Sequence, residues 1–143
     1  MCIENTHNSS GRSAWSPAEI EALATAARKH GLKIHIDGAR IFSAAASLGV
    51  DVKDYTRHVD SVMFCVSKGL SAPVDSLLCG SRACVARARN VRKRLGGGMR
   101  QAGMVAAAGI EALQKMVDRL AEDSETAPAA SSPTRDYLQR SPW

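Results

Sequence analysis

Asp60-Ser61-Val62-Met63-Phe64-Cys65-Val66-Ser67-Lys68-Gly69-Leu70 decides how this chain folds, because an apolar run of strand length ends on a lysine. Val62, Phe64 and Val66 suit a pleated, buried surface through β-branched and aromatic side chains. A lysine at the end of such a run needs a reason. It is rarely buried without a partner, and one whose environment lowers its pKa becomes a nucleophile able to form a Schiff base. Upstream, Lys33-Ile34-His35-Ile36-Asp37-Gly38-Ala39-Arg40 reads as a second strand, ending on a carboxylate. The expectation is that the two strand ends lie side by side, with Asp37 near Lys68.

Outward from these runs the chain alternates between helical and extended patterns. Ser16-Pro17-Ala18-Glu19 has the form of a capping box with proline at the first helical position. Ile20, Leu23, Ala24 and Ala27 then repeat at helical spacing, and Gly31 is a stop signal. A strand over 32–36, an alanine-rich helix over 41–48 closed by Gly49, and a strand over 61–66 follow. Helix, strand, helix, strand argues for an α/β layer structure with a largely parallel sheet. A further strand at Ser76-Leu77-Leu78-Cys79 comes too soon after Lys68 for a crossover helix, so it is expected to run antiparallel. Helices are expected over 81–95 and over 99–122, separated by Gly96-Gly97-Gly98. From Ser124 the composition turns small, polar and proline-bearing, which predicts a disordered tail over 124–143.

Composition narrows the function classes. At 143 residues the chain is within the range of one domain. No apolar stretch approaches the ~20 residues of a membrane span, and Met1-Cys2-Ile3-Glu4-Asn5 leaves no room for a signal peptide, so a soluble cytoplasmic protein is expected. Cys2, Cys65, Cys79 and Cys84 have no spacing suited to zinc, so no metal site is expected and reduced, buried thiols are the plain reading. The net charge is +5, with much of the excess between Arg82 and Arg100. Clustered cations are the footprint of phosphate binding, but the run Arg87-Ala88-Arg89-Asn90-Val91-Arg92-Lys93-Arg94 lacks interleaved aromatics and any recognition motif. A solvated helix face, rather than a nucleic-acid module, is the expectation.

Four segments carry a resemblance: Ile3-Glu4-Asn5-Thr6-His7-Asn8, His35-Ile36-Asp37-Gly38-Ala39-Arg40, Ser67-Lys68-Gly69-Leu70 and Gly96-Gly97-Gly98-Met99-Arg100-Gln101. In that order they resemble the low-specificity L-threonine aldolases, enzymes of the beta-eliminating lyase type with the fold-type-I architecture of pyridoxal phosphate (PLP) enzymes. The resemblance runs from about Ile3 to about Asp123. It implies that 1–123 is part of the large domain of a longer enzyme, with the first third and the small domain not represented.

The resemblance also implies roles. Lys68 is the Schiff-base residue, and Asp37 keeps the pyridine nitrogen protonated so that the ring acts as an electron sink. Taken alone, Asp37 before Gly38 also reads as a turn-forming residue. Arg40 orients the substrate carboxylate, or else makes a surface ion pair. Ser67 belongs to the cofactor-binding set, and Lys93 and Arg100 help neutralise the cofactor phosphate of a neighbouring subunit. His7, close to the cofactor at a strand end, is a candidate catalytic residue, while His35 on an apolar strand reads as packing. The histidine that stacks on the ring is implied to lie upstream of this chain. Two departures stand out in Gly69-Leu70-Ser71-Ala72-Pro73-Val74-Asp75-Ser76, where Ser71 and Asp75 replace the family's glycines. They cost little if φ is negative and strain the backbone otherwise.

The activity so implied is cleavage of L-threonine or L-allo-threonine to glycine and acetaldehyde by a homo-oligomer. Two other readings stay open: a non-catalytic remnant acting through subunit association, and a basic nucleic-acid-binding module.

Overall fold

The computed structural model describes residues 1–11 and 13–122, so the tail expected from Ser124 lies outside the described residues. Among the described residues four strands and five α-helices follow in the order β1 (Cys2–Glu4), α1 (Pro17–Lys29), β2 (His35–Asp37), α2 (Ile41–Leu48), α3 (Val52–Thr56), β3 (Ser61–Cys65), β4 (Ser76–Gly80), α4 (Arg82–Arg94) and α5 (Gly103–Lys115), with a short 3-10 helix at Asn8–Ser10 between β1 and α1. The sheet order is β1-β2-β3-β4, with the first three strands parallel and β4 antiparallel to β3. The expected mostly parallel sheet with one reversed strand is therefore present. Successive crossovers step the same way along the sheet, and the right-handed rule then puts α1, α2 and α3 on one face.

That face holds the core. Ile3, Ile36 and Val62 are in register across three strands and are buried together with Phe64. Ile20, Ala24 and Ala27 of α1 and Ile41 of α2 join the same cluster. Phe42 meets Phe64 edge to face, with ring centroids 5.2 Å apart and an interplanar angle of 80°. Along β3 burial alternates, so Ser61, Met63 and Cys65 face the less covered side. All of β4 is exposed, as are Val91 and Leu95 at the end of α4, and the cysteines expected to be buried are not: Cys79 on bare β4 and Cys2 are exposed, and Cys65 and Cys84 are half-buried.

Local chemistry sets the helix boundaries. Ser16 accepts from the Glu19 amide while the Glu19 carboxylate accepts from the Ser16 amide at 2.7 Å, which completes the capping box at α1. The Ser16 amide, and after it the Ser16 hydroxyl, donate to the Glu19 carboxylate and hold that carboxyl below its ordinary range. Helix α3 was not anticipated. Its five residues are too few to display helical periodicity, and an Asp51/Asp54 capping box starts it. It buries Tyr55 completely, and that burial pushes the phenol pKa up.

The long helix expected over 99–122 is shorter. Helix α5 stops at Lys115, a turn covers 116–119, and helical structure resumes at Leu120. Its apolar surface is divided: Ala112 and Leu120 enter the core, while Met104 and Ile110 are exposed. Among the described residues no helix is long and apolar enough to cross a membrane.

Asp60 pins β2 against β3 at the end where both begin. Its Oδ2 accepts from the Ile34 amide at 2.9 Å, its Oδ1 from Lys33 Nζ at 2.9 Å, and its own amide donates to the Ile34 carbonyl. The Lys33 hydrogen bond, with that from the Ile34 amide, holds the Asp60 carboxyl below the usual range. A lowered folded-state pKa means stabilisation that is complete above the unfolded value of about 4 and is lost as pH falls through the folded value. Asp60→Asn is expected to cost about 1 kcal/mol near pH 7, a figure kept small by solvent screening. Urea unfolding from pH 7 to pH 2 checks this: the gap between wild type and Asp60→Asn should close below about pH 4.

Candidate functional site

Three parallel strands end on the same edge of the sheet, and the ladder continues slightly past each end. The Asn5 amide donates to the Asp37 carbonyl at 2.9 Å, and the Gly38 amide donates to the Met63 carbonyl at 2.8 Å. Register thus sets Glu4 beside Asp37 and Asp37 beside Met63, five residues before Lys68.

Asp37 is half-buried, and its Oδ1 accepts from the Ala39 amide at 3.3 Å. This is the turn-forming use of Asp before Gly. Oδ2 accepts no hydrogen bond among the described residues and is available as an anionic acceptor. Gly38 is buried, and a Cβ there would stand 2.8 Å from the Met63 carbonyl and 3.0 Å from Ile41 Cβ. Only glycine lets the two backbones come this close.

Arg40 occupies the N-cap position of α2, half-buried and without a side-chain hydrogen bond or ion pair among the described residues. With Ser43, Cys65, Gly69, Leu70 and Leu120 it lines a cavity of about 10 Å³. Lys68 follows β3 on an exposed turn, its Nζ unbonded among the described residues. Ser67 Oγ donates to the Asp75 carbonyl at 3.4 Å.

His7 lies past the end of β1. Its Nδ1 is 2.8 Å from Ser10 Oγ and its Nε2 is 3.4 Å from Glu4 Oε2, so both ring nitrogens have a partner. His35 is at the start of β2, with Nδ1 2.9 Å from Ser61 Oγ. Asn5, quoted in the sequence motif but given no role there, is fully buried. Its side-chain amide pairs with both backbone groups of Trp15, at 3.2 and 3.3 Å, and ties the following loop to the end of β1. A buried asparagine of this kind is recognisable only once its backbone partners are in place.

Lys93 and Arg100 are exposed and stand apart from these groups. No hydrogen bond, ion pair or shared cavity lining links either to Lys68, Asp37 or Arg40 among the described residues. Lys93 lies across the glycine turn, its Cδ 3.1 Å from where a Gly98 Cβ would be. A groove of about 820 Å³ runs along α4 between Ala83, Ala88, Val91 and Leu95, away from the strand ends. It is a shallow face of an exposed helix and gathers no acid, base or nucleophile pair, so the chemistry is assigned to the strand ends instead.

Comparison with known proteins gives likenesses of three kinds: to a family model, to curated relatives and to a solved structure. A family model described as beta-eliminating lyase matches residues 1–137. The match runs past Asp123 into the proline-bearing stretch. The chain is 46% identical over 127 residues to low-specificity L-threonine aldolase 1 of Arabidopsis thaliana, covering 89% of this chain and 36% of the relative. It is likewise 46% identical over 128 residues to the low specificity L-threonine aldolase of Escherichia coli K12, covering 89% of this chain and 37% of the relative. A crystal structure from Listeria monocytogenes superposes with a TM-score of 0.79 at 21% identity, covering 85% of this chain and 34% of that one, which shows a shared fold. The chain thus spans little more than a third of the length of the curated relatives it matches.

The contact at Gly38 yields a direct expectation. Gly38→Ala should lower the stability of the chain by about 1–3 kcal/mol, because the new methyl group has to displace backbone rather than a mobile side chain. Thermal unfolding followed by circular dichroism measures it.

Proposed function

Because the chain belongs to the beta-eliminating lyase family, we propose that it supplies the lysine-bearing core of a pyridoxal phosphate-dependent carbon–carbon lyase acting on β-hydroxy amino acids. L-Threonine and L-allo-threonine are the substrates of this reading, and glycine and acetaldehyde the products. The observation that carries it is an unbonded lysine amine following β3, on the sheet edge where a carboxylate with one free oxygen ends the neighbouring strand.

The donor set fits the cofactor: an amine, a carboxylate, a hydroxyl and a guanidinium stand on or follow one sheet edge. Pyridoxal phosphate, when bound, supplies an electron-accepting ring that permits cleavage between Cα and Cβ. Lys68 would hold it through Nζ, and its exposed stem lets the amine swing without breaking an existing bond. Asp37 would keep a proton on the ring nitrogen, with its other oxygen fixed by the Ala39 amide. Ser67 contributes a hydroxyl towards the phosphate. Arg40 provides a planar donor fork suited to the substrate carboxylate. His7 would accept the proton of the β-hydroxyl on releasing one of its two present ring partners, Glu4 or Ser10.

The exposed β4 and α4 agree with a homo-oligomer in which Lys93 and Arg100 serve a neighbouring subunit's phosphate. Free thiols at all four cysteines agree with a cytoplasmic setting. Neither nucleic acid nor membrane belongs to this reading. A second reading, a cofactor-free remnant that acts only by subunit association, draws on the small cavity beside Arg40 and the breadth of exposed apolar surface.

Incubating the 143-residue chain with pyridoxal phosphate separates the two. The expected result is a visible absorbance band of protein-bound cofactor that Lys68→Ala abolishes, with glycine release from threonine falling at least about 10³-fold. Asp37→Asn should keep the band and lower turnover about 10²–10³-fold. No band dependent on Lys68 would leave the remnant reading standing.

A further inference from the structure

The backbone of the segment that carries Lys68 is hydrogen-bonded by one nearby stretch, residues 71–75. The Ser71 amide donates to the Lys68 carbonyl at 2.9 Å, and the Ala72 amide to the Val66 carbonyl at 2.9 Å. From the other side, the Asp75 carbonyl accepts from the Val66 amide at 3.2 Å and from Ser67 Oγ at 3.4 Å. Every backbone polar group of Val66 is therefore satisfied by residues 72 and 75. Burial of Val66, Leu70 and Ala72 fixes the base of this loop, while Ser67, Lys68, Ser71 and Asp75 are exposed.

Two residues turn the chain so that these groups meet. Ser71 has φ of 61° and Asp75 has φ of 103°, and among the described residues these are the non-glycine positions with positive φ. An L side chain is disfavoured in both conformations. They persist because the hydrogen bonds to residues 66–68 and the buried base over-determine them. The Asp75 carboxylate meets part of its own cost by accepting from the Ser76 amide at 2.7 Å.

We infer that Ser71 and Asp75 are positioning residues: their left-handed backbones clamp the 66–68 segment and so fix where the Lys68 amine emerges. The inference rests on the reading of Lys68 as a reactive amine and concerns the backbone at two positions to which that reading gives no direct role. It makes side-chain tolerance of positive φ, rather than charge, the property that matters at both positions.

The test is a series in the full chain at Asp75, with Gly, Asn, Ala and Val, and at Ser71, with Gly, Asn and Val. Amide hydrogen exchange of Val66 and Ala72 is read by NMR, and labelling of Lys68 by subsaturating pyridoxal phosphate and borohydride is read by mass spectrometry. Glycine at either position should slow exchange about three- to ten-fold and raise the melting temperature by about 2–5 °C. Asparagine should resemble or slightly exceed wild type, and alanine and valine should speed exchange in that order. Lys68 labelling should follow the same order.

If Asp75→Asn, Asp75→Ala and Asp75→Gly behave alike, the effect is one of charge and the inference falls. It also falls if exchange follows the order while labelling of Lys68 stays constant across the series. Should the wild-type chain take no label at any cofactor concentration, the proposed function fails, and the exchange series alone still decides the clamp.

Discussion

β2 leaves the sheet at Gly38, where the backbones of two parallel strands stay within 2.8 Å of each other for one residue longer than the ladder itself. That close approach organises the rest of the site. It holds Asp37 against the end of β3, and it turns the chain directly into α2, with Arg40 at the N-cap. One turn further, Phe42 lands on Phe64 of β3, so the helix that follows the carboxylate packs against the strand that precedes the lysine. The end of β2 and the strand that leads to Lys68 are therefore held together by the same few contacts, although 30 residues lie between Asp37 and Lys68.

The two faces of the sheet are unequal. Helices α1 to α3 bury one side, whereas β4 is bare and α4 buries nothing among the described residues. A catalytic centre needs walls that exclude water and hold reacting groups in line. The strand ends supply one such wall, and the cavity beside Arg40 is too small to supply the others. This agrees with a chain that spans little more than a third of its curated relatives. It also fits the separation between the groove along α4, an exposed apolar helix face, and the strand ends that carry the proposed chemistry.

Much of the architecture was legible because it is written in local chemistry. The capping box at Ser16, the glycine stop at Gly49 and the short link before Ser76 each have one geometric consequence, and α1, α2 and the antiparallel β4 follow from them. Helix α3 was not legible, since five residues started by Asp51 carry no repeat. The break in the expected 99–122 helix escaped notice for another reason. Its apolar residues are compatible with one continuous face, and only packing separates Ala112 and Leu120, which enter the core, from Met104 and Ile110, which do not. At the proposed site, residue type and motif single out Lys68, Asp37 and Arg40 but give Asn5 no part, because its side chain satisfies backbone groups ten residues away.

Residue order alone determined the alternation of strands and helices, the reversal of β4 and the family, since periodicity, caps and motif residues are properties of short segments. Tertiary structure decided the rest. The sign of φ at Ser71 and Asp75 depends on how the loop returns to residues 66–68, and a serine or aspartate in a sequence is compatible with either sign. Exposure of Lys68 depends likewise on which elements reach the end of β3. A backbone angle and a solvent contact are set by parts of the chain distant in sequence, so they exist only once those parts have come together.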